Sequence, residues 1–517
     1  MKTSHAASTL LGIAFTAFAP VNLPSADGAP LSPAYAEAAP ICAPDDLRTV
    51  SIPNTVIESV AIDPEGGACL VTAIVTHPPA GDRVKIWIAL PMRNWNGRFH
   101  GNGGGGLAGG YFGSLWAPLA QGFATGATDT GHEGDRGAFM LNANGRHNWQ
   151  EIRDFAYQGI HDMTVVGKAL TQAFYGKPPR YSYFVGGSTG GRQGLMEAQR
   201  FPEDYDGIIA YNPAINFHRL VAGGVWPQLV MLEAKHLVPR AKLDAVTAAV
   251  VKACDAEDGV VDGVIDDPIH CRWDPKAFVG TQVGDDVFTE ADADVVRKIW
   301  EGPRGPDGRV LWFGLPRGAN LFVLAGTGGV PLAGRPTAYS WDVLRYALVQ
   351  NANWDWTTLT RAELELLYNQ SVEMLGPVWG TDDPDLTRFR DRGGKLLLLH
   401  GLSDERIPPQ GTIDYFERVQ HAAGGPARTA EFARLFLIPG GEHSFRGAGP
   451  SSTGELPALI EWVESGRPPA RLLAETRDGT GKVLRSRPLF PYPLFAKYGG
   501  QGRTDDAANF VSASPQP

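Results

Sequence analysis

The sequence is poor in several features, and each shortage closes off a class of function. Positive charge is in deficit: 46 Lys and Arg stand against 56 Asp and Glu, for a formal net charge of −10. Nucleic-acid-binding chains concentrate cations, so the balance argues against such a partner, and it gives no sign of an anionic membrane surface. Cysteine is scarce, with four residues in 517. None forms a Cys-x-x-Cys pair or has a close His partner, which argues against a zinc site. No apolar run beyond the N-terminus reaches the length of a transmembrane helix. No glycine-rich stretch ends in Gly-Lys-Ser/Thr before a helix, as a phosphate loop does.

What is present is a globular composition. Hydrophobic residues make up 43% of the chain, and 13 Trp and 23 Phe need burial, so the 63 Gly and 40 Pro imply many loops rather than disorder. The length suits two or more domains, or one large core with a big insertion. At the N-terminus, Lys2 precedes a short apolar run over 6–19, with small-x-small sites ending at Ala19 and Ala36. Pro20 spoils the first site, so the reading is an export signal over 1–36 and a periplasmic or secreted product. All four cysteines follow it in an even number. Among three possible pairings the local one, Cys42–Cys69 with Cys254–Cys271, is expected to form as disulfides.

The chain is organised around Tyr181 to Ala198. An apolar, β-prone run ends at Val185. It breaks at Gly186 and Gly187, places Ser188, passes Thr189, Gly190 and Gly191, and continues with helical spacing. Gly-x-Ser-x-Gly between a strand and a helix lifts a serine hydroxyl clear of a sheet in a strained turn that needs small neighbours. The following helix aims its first N–H groups at an oxyanion, which makes Thr189 one expected donor.

The rest of the chain supplies partners. Residues 41–100 read as short antiparallel strands, and they lead into Gly103, Gly104, Gly105 and Gly106. A glycine loop after an early strand is where the second oxyanion N–H of such hydrolases arises, here from Gly104 and Gly105. His132, in a glycine-rich turn, reads as structural. Apolar positions over 151–175 have helical spacing, and that helix leads into the Ser188 strand, in βαβ order. The run 395–400 is a buried strand followed by Asp404, with Glu405 its nearest substitute. The run 435–438 is a last strand followed by His443. Serine, acid and histidine in that order, each past a strand end, match an α/β-hydrolase triad of Ser188, Asp404 and His443.

Between the two halves, 217–389 loses the βαβ rhythm and holds eight of the 13 tryptophans. It reads as an inserted, largely helical lid between core segments 37–216 and 390–517, its aromatics mostly forming its own core. Within it, 254–267 crowds acidic residues around two glycines. Hard oxygen donors in a tight coil suit Ca²⁺, at a spacing unlike an EF-hand loop.

Taken together, Trp95-Asn96-Gly97-Arg98-Phe99, Thr128-Asp129-Thr130-Gly131-His132, the Ser188 turn, the acidic loop, His400-Gly401-Leu402-Ser403-Asp404 and Asp505 to Phe510 resemble the tannase and feruloyl esterase family. The resemblance implies an α/β-hydrolase fold with a large lid. It further implies an exported serine hydrolase acting on small esters of hydroxybenzoic, hydroxycinnamic or terephthalic-type acids. It implies structural calcium in the lid, held by the side chains of Asp255, Asp258 and Asp262 and the carbonyls of Val260 and Val264. Members of that family usually join a cysteine before the serine to one after the histidine. Gly187 and Ser444 stand at those positions here, so both halves of that bridge are missing together. The rival from another class is a non-catalytic aromatic-acid-binding protein on a hydrolase scaffold, which the intact Ser, Asp and His weigh against.

Overall fold

The computed structural model describes residues 32–35, 39–444 and 449–514. Most of the expected export signal, including Ala36 at its cleavage point, lies outside the described residues. Among those described, no helix is long and apolar enough to cross a membrane.

One nine-stranded sheet runs through the molecule. Its strands are β1 (Thr55–Ile62), β2 (Ala68–Val75), β3 (Val84–Pro91), β4 (Arg98–Asn102), β5 (Ala124–Thr128), β6 (Tyr181–Gly187), β7 (Gly207–Tyr211), β8 (Lys395–Gly401) and β9 (Ala433–Ile438). The order is β1-β2-β3-β5-β4-β6-β7-β8-β9. The first three and β5 pair antiparallel, and from β5 onward every neighbour is parallel. That switch follows burial. In β1 residues alternate between exposed and covered, whereas Leu396, Leu397, Leu398 and Leu399 of β8 are all fully buried. A parallel strand covered on both faces reads as an unbroken apolar run.

The helices that cover the sheet include α1 (Gly159–Tyr175) and α2 (Thr189–Arg200). Ile160, Met163, Val166, Leu170 and Phe174 form the buried face of α1, which packs on β3, β4 and β5. The contact is close enough that a Cβ at Gly167 would lie 2.5 Å from the Phe99 ring. The periodicity over 151–175 suggests one helix. The structure instead breaks it into Trp149–Arg153, a π-turn at Asp154–Gln158, and α1. The cause is Arg192 of α2. Its buried guanidinium donates to the carbonyls of Ala156 (2.6 Å) and Phe155 (3.0 Å), which the widened turn frees from the helix ladder. Burial without an acid partner lowers that guanidinium to about 9.

Residues 217–389 build most of a second hydrophobic cluster, which also takes in Leu107, Phe139, Ile152, Phe155 and Ile407 from outside the segment. Its main helices are α3 (Phe217–Ala234), α4 (Arg240–Cys254), α5 (Glu290–Glu301) and α6 (Arg361–Met374). Trp226 and Trp379 are buried in it, and Trp341 stacks on Trp354 with centroids 5.2 Å apart. It closes on the sheet side through Arg136, whose Nε lies 2.8 Å from the buried Asp342 carboxylate. The chain then returns through β8, α7 (Pro409–Ala423), β9 and α8 (Glu455–Ser465). It ends in small antiparallel sheets over 451–513.

Of the two expected disulfides, Cys254–Cys271 is closed, with Cα atoms 5.9 Å apart. Cys42–Cys69 is corrected: both thiols are free. Cys69 faces the core from β2, where burial, with Cys42 and Asp45 nearby, pushes its thiol up to about 12. Cys42 turns instead to the Ala173 carbonyl, 3.7 Å away.

Candidate active site

The Ser188 turn is built as its glycines demand. Ser188 has φ 57° and ψ −120°, in the left-handed half of backbone space that a side chain rarely enters. The turn is so tight that a Cβ at Gly186 would lie 2.4 Å from the Gly190 carbonyl carbon. The backbone is held from both sides. Ser188 N–H donates to the Tyr211 carbonyl (2.9 Å), and its carbonyl accepts from Arg192 (3.0 Å) and Ala214 (3.1 Å). The Ser188 side chain stays half-exposed at the sheet's C-terminal edge.

The glycine loop after β4 is laced onto α2. Thr189 Oγ1 donates to the Gly106 carbonyl (2.6 Å), and Gly190 N–H donates to the Gly104 carbonyl (3.0 Å). Among the described residues, the Thr189 amide has no acceptor, as expected of the first N–H of a helix. The Gly104 amide is corrected as an oxyanion donor, because it donates to Gln193 Oε1 at 2.8 Å. Gly105 N–H donates to the Ala108 carbonyl over a longer 3.2 Å. The Gly106 amide has no acceptor among the described residues. Gln193, missed in the sequence, ties the loop down at both ends, since its Nε2 also reaches the Gly109 carbonyl (3.0 Å). Its position four residues after Thr189, one helical turn along α2, is the only sequence signal for it.

Asp404 is fully buried past the end of β8. Its Oδ1 accepts the amides of Arg406 (2.8 Å) and Ile407 (2.9 Å). Its Oδ2 lies 2.8 Å from His443 Nδ1. Burial opposes the charge on this carboxyl, but the imidazoles of His443 and His400 outweigh it and hold the group well below the usual carboxylate range. Glu405 takes a different task, with Oε2 accepting the His443 backbone N–H at 2.9 Å. Next to His443, Glu442 is pushed up to about 7 by burial and by the carboxylates of Glu405 and Asp404. His132 sits away from this pair, its Nε2 2.6 Å from the Leu107 carbonyl and its ring stacked on Phe139.

Acid and histidine are therefore in contact, while the Ser188 hydroxyl makes no hydrogen bond among the described residues. The serine and histidine loops are joined through the segment between them. Asn212, just past β7, donates from Nδ2 to the carbonyls of His443 (2.9 Å) and Glu442 (3.3 Å). Trp312 from the inserted segment lines a small apolar cleft with Pro213, Ala214, Ile407 and Pro408.

In the acidic loop, Asp255 accepts the amides of Asp262 (2.9 Å) and Gly263 (3.0 Å). Asp262 is paired with Arg485 (3.2 Å) and Arg487. Asp266 is half-buried there, and desolvation together with the carboxylates of Asp258 and Asp262 raises it well above the usual range. Hard carboxylate oxygens brought together in this coil suit a divalent cation such as calcium, with Asp266 beside Asp258 added to the expected set.

The chain is similar to known proteins along most of its length. A family model described as tannase and feruloyl esterase matches residues 69–513. A protein of Arthroderma benhamiae described as "Probable feruloyl esterase" is 38% identical over 480 residues, covering 90% of this chain and 87% of its own. Feruloyl esterase B of Aspergillus niger is 33% identical over 459 residues, 85% of each chain. The crystal structure of feruloyl esterase B from Aspergillus oryzae superposes with a TM-score of 0.78 at 27% identity, covering 90% of this chain and 98% of that one.

Proposed function

The chain belongs to the tannase and feruloyl esterase family of carboxylic ester hydrolases, and from that premise we propose that it is an exported serine esterase that cleaves small aromatic-acid esters through an acyl-enzyme. The observation that carries the reading is the 2.8 Å contact of His443 Nδ1 with the buried Asp404 carboxylate, in a sheet that presents Ser188 in a strained turn after β6, two strands from β8.

The reaction proceeds in two halves. Ser188 Oγ attacks the ester carbonyl while His443 Nε2 takes its proton. Asp404 fixes the tautomer by accepting from Nδ1–H and stabilises the imidazolium. The tetrahedral oxyanion accepts from the Thr189 amide and from an amide of the turn at Gly105 and Gly106. Collapse expels the alcohol, which takes the proton from His443. Water then enters, gives a proton to His443, attacks the acyl carbonyl and releases the carboxylic acid as Ser188 Oγ recovers its proton. The inserted segment acts as a lid, and in its 254–267 loop Asp255, Asp258 and Asp262, with the carbonyls of Val260 and Val264, would hold a structural calcium ion, whose charge would offset the mutual repulsion of the carboxylates.

The test is product release by chromatography from feruloyl, galloyl, terephthaloyl and benzoyl esters, with Ser188→Ala beside the wild type. One ester is hydrolysed by the wild type, and kcat/KM falls at least about 10⁴-fold in the variant. Residual turnover near wild type would rule out the covalent route.

A further inference from the structure

We propose that Asn212 is the positioning residue that holds the His443 loop against the Ser188 turn, doing by hydrogen bonds what a cross-link between positions 187 and 444 would do covalently. This rests on the Ser188, His443 and Asp404 reading above.

Asn212 is 1% exposed and has φ 40°, a left-handed conformation that asparagine tolerates better than most residues. It makes four bonds to two other segments. Its N–H donates to the Leu399 carbonyl (2.8 Å), and its Oδ1 accepts the Gly401 N–H (2.8 Å), both on β8, the strand that delivers Asp404. Its Nδ2 takes the carbonyls of His443 and Glu442 at 2.9 and 3.3 Å. Its neighbours hold the serine: Tyr211 accepts the Ser188 N–H, and Ala214 donates to the Ser188 carbonyl. One residue thus sits among the segments carrying all three members of the triad.

The chemistry of the side chain matters. Only a primary amide offers an acceptor on one side and two N–H donors on the other. An aspartate could keep the Gly401 bond but would aim an oxygen at two carbonyls.

The position also matters. Gly187 is the register partner of Tyr211, and a Cβ there would meet only Tyr211 atoms, at 3.7 and 3.8 Å. Asn212 follows that partner in the chain and bonds the loop that carries position 444. His443 is fixed at its ring by Asp404, at its N–H by Glu405 and at its carbonyl by Asn212. Because the Ser188 hydroxyl is not bonded to the ring, the placement of this loop sets how closely the base approaches. Its loss appears in kcat rather than in substrate binding.

The experiment compares Asn212→Asp and Asn212→Gly with wild type on the best ester of the panel. Glycine accepts the left-handed φ, so one variant keeps the backbone unstrained whatever aspartate does. We expect kcat to fall about 100-fold in both, with KM within threefold and the melting transition retained. Adding Gly187→Cys with Ser444→Cys to either variant restores kcat at least tenfold when oxidised. Dithiothreitol removes the gain, while wild type in dithiothreitol controls for the native disulfide. A kcat within threefold of wild type in both variants overturns the proposal. So does a loss of kcat that a bridge verified by mass spectrometry fails to recover. Turnover by Ser188→Ala, by contrast, would fail the triad reading itself.

Discussion

The sheet and the inserted segment hold their residues in different ways. In the sheet, position is set by backbone pairing. Leu396 to Gly401 pair residue by residue with β9, and that register carries Asp404 to His443. Ser188 is locked by three backbone bonds, to Tyr211, Arg192 and Ala214, and a bond from Gly190 to Gly104 ties α2 to the glycine loop. In 217–389 the strands are two-residue fragments, and order comes from side chains and a cross-link. Trp226 and Trp379 are buried there, Lys242 is paired with Asp292 at 2.9 Å, and Cys254 is bridged to Cys271. Damage to the first region should therefore appear in the rate of chemistry, and damage to the second in stability.

The sharpest test of that division is Asp404→Asn. It keeps the shape but removes the charge that orients His443, and kcat should fall about 10³- to 10⁴-fold with KM little changed. A similar loss of kcat from any change in 217–389 would break the comparison. Next in size, Cys254→Ser with Cys271→Ser opens a loop of 17 residues. It should lower stability by roughly 3 kcal/mol, read from the denaturant midpoint, while kcat at low temperature is unchanged. Removal of calcium by a chelator should lower the melting temperature, at a cost on the order of 2–3 kcal/mol for a site held near saturation. Asp258→Asn should abolish that response, and metal analysis should find one equivalent of calcium in wild type only.

The smallest effect belongs to Glu442. Its folded-state pKa is raised from 4.5 to about 7, so the native form favours the protonated carboxyl. Its stabilising contribution is complete below pH 4.5 and is lost as pH rises through about 7. Glu442→Gln should flatten that part of the stability profile. An unchanged slope would mean that Glu442 does not feel Glu405 and Asp404.

The same division decides what was legible in the sequence. The elbow could be read because a serine at φ 57° needs Gly186 and Gly190 around it, and that need is written in residue type. β8 and β9 could be read because strands covered on both faces are continuous apolar runs. The π-turn at Asp154 was hidden, because its cause is an arginine from another helix. Engagement of the Gly104 amide was hidden for the same reason, since Gln193 reaches it across the loop. Asn212 looked like an ordinary strand-end residue, and only its contacts with two other segments give it weight. An even count and closeness in sequence suggested a Cys42–Cys69 bridge, but neither says which way a thiol points, and Cys42 turns to Ala173.

The measurement that bears most directly on the account is intact-mass and peptide analysis after treatment with a serine-directed phosphonate. The account predicts one adduct per chain, on the Ser188 peptide, lost in Ser188→Ala and strongly slowed in Asp404→Asn. An adduct on another residue, or no adduct under conditions where esters are hydrolysed, would contradict it.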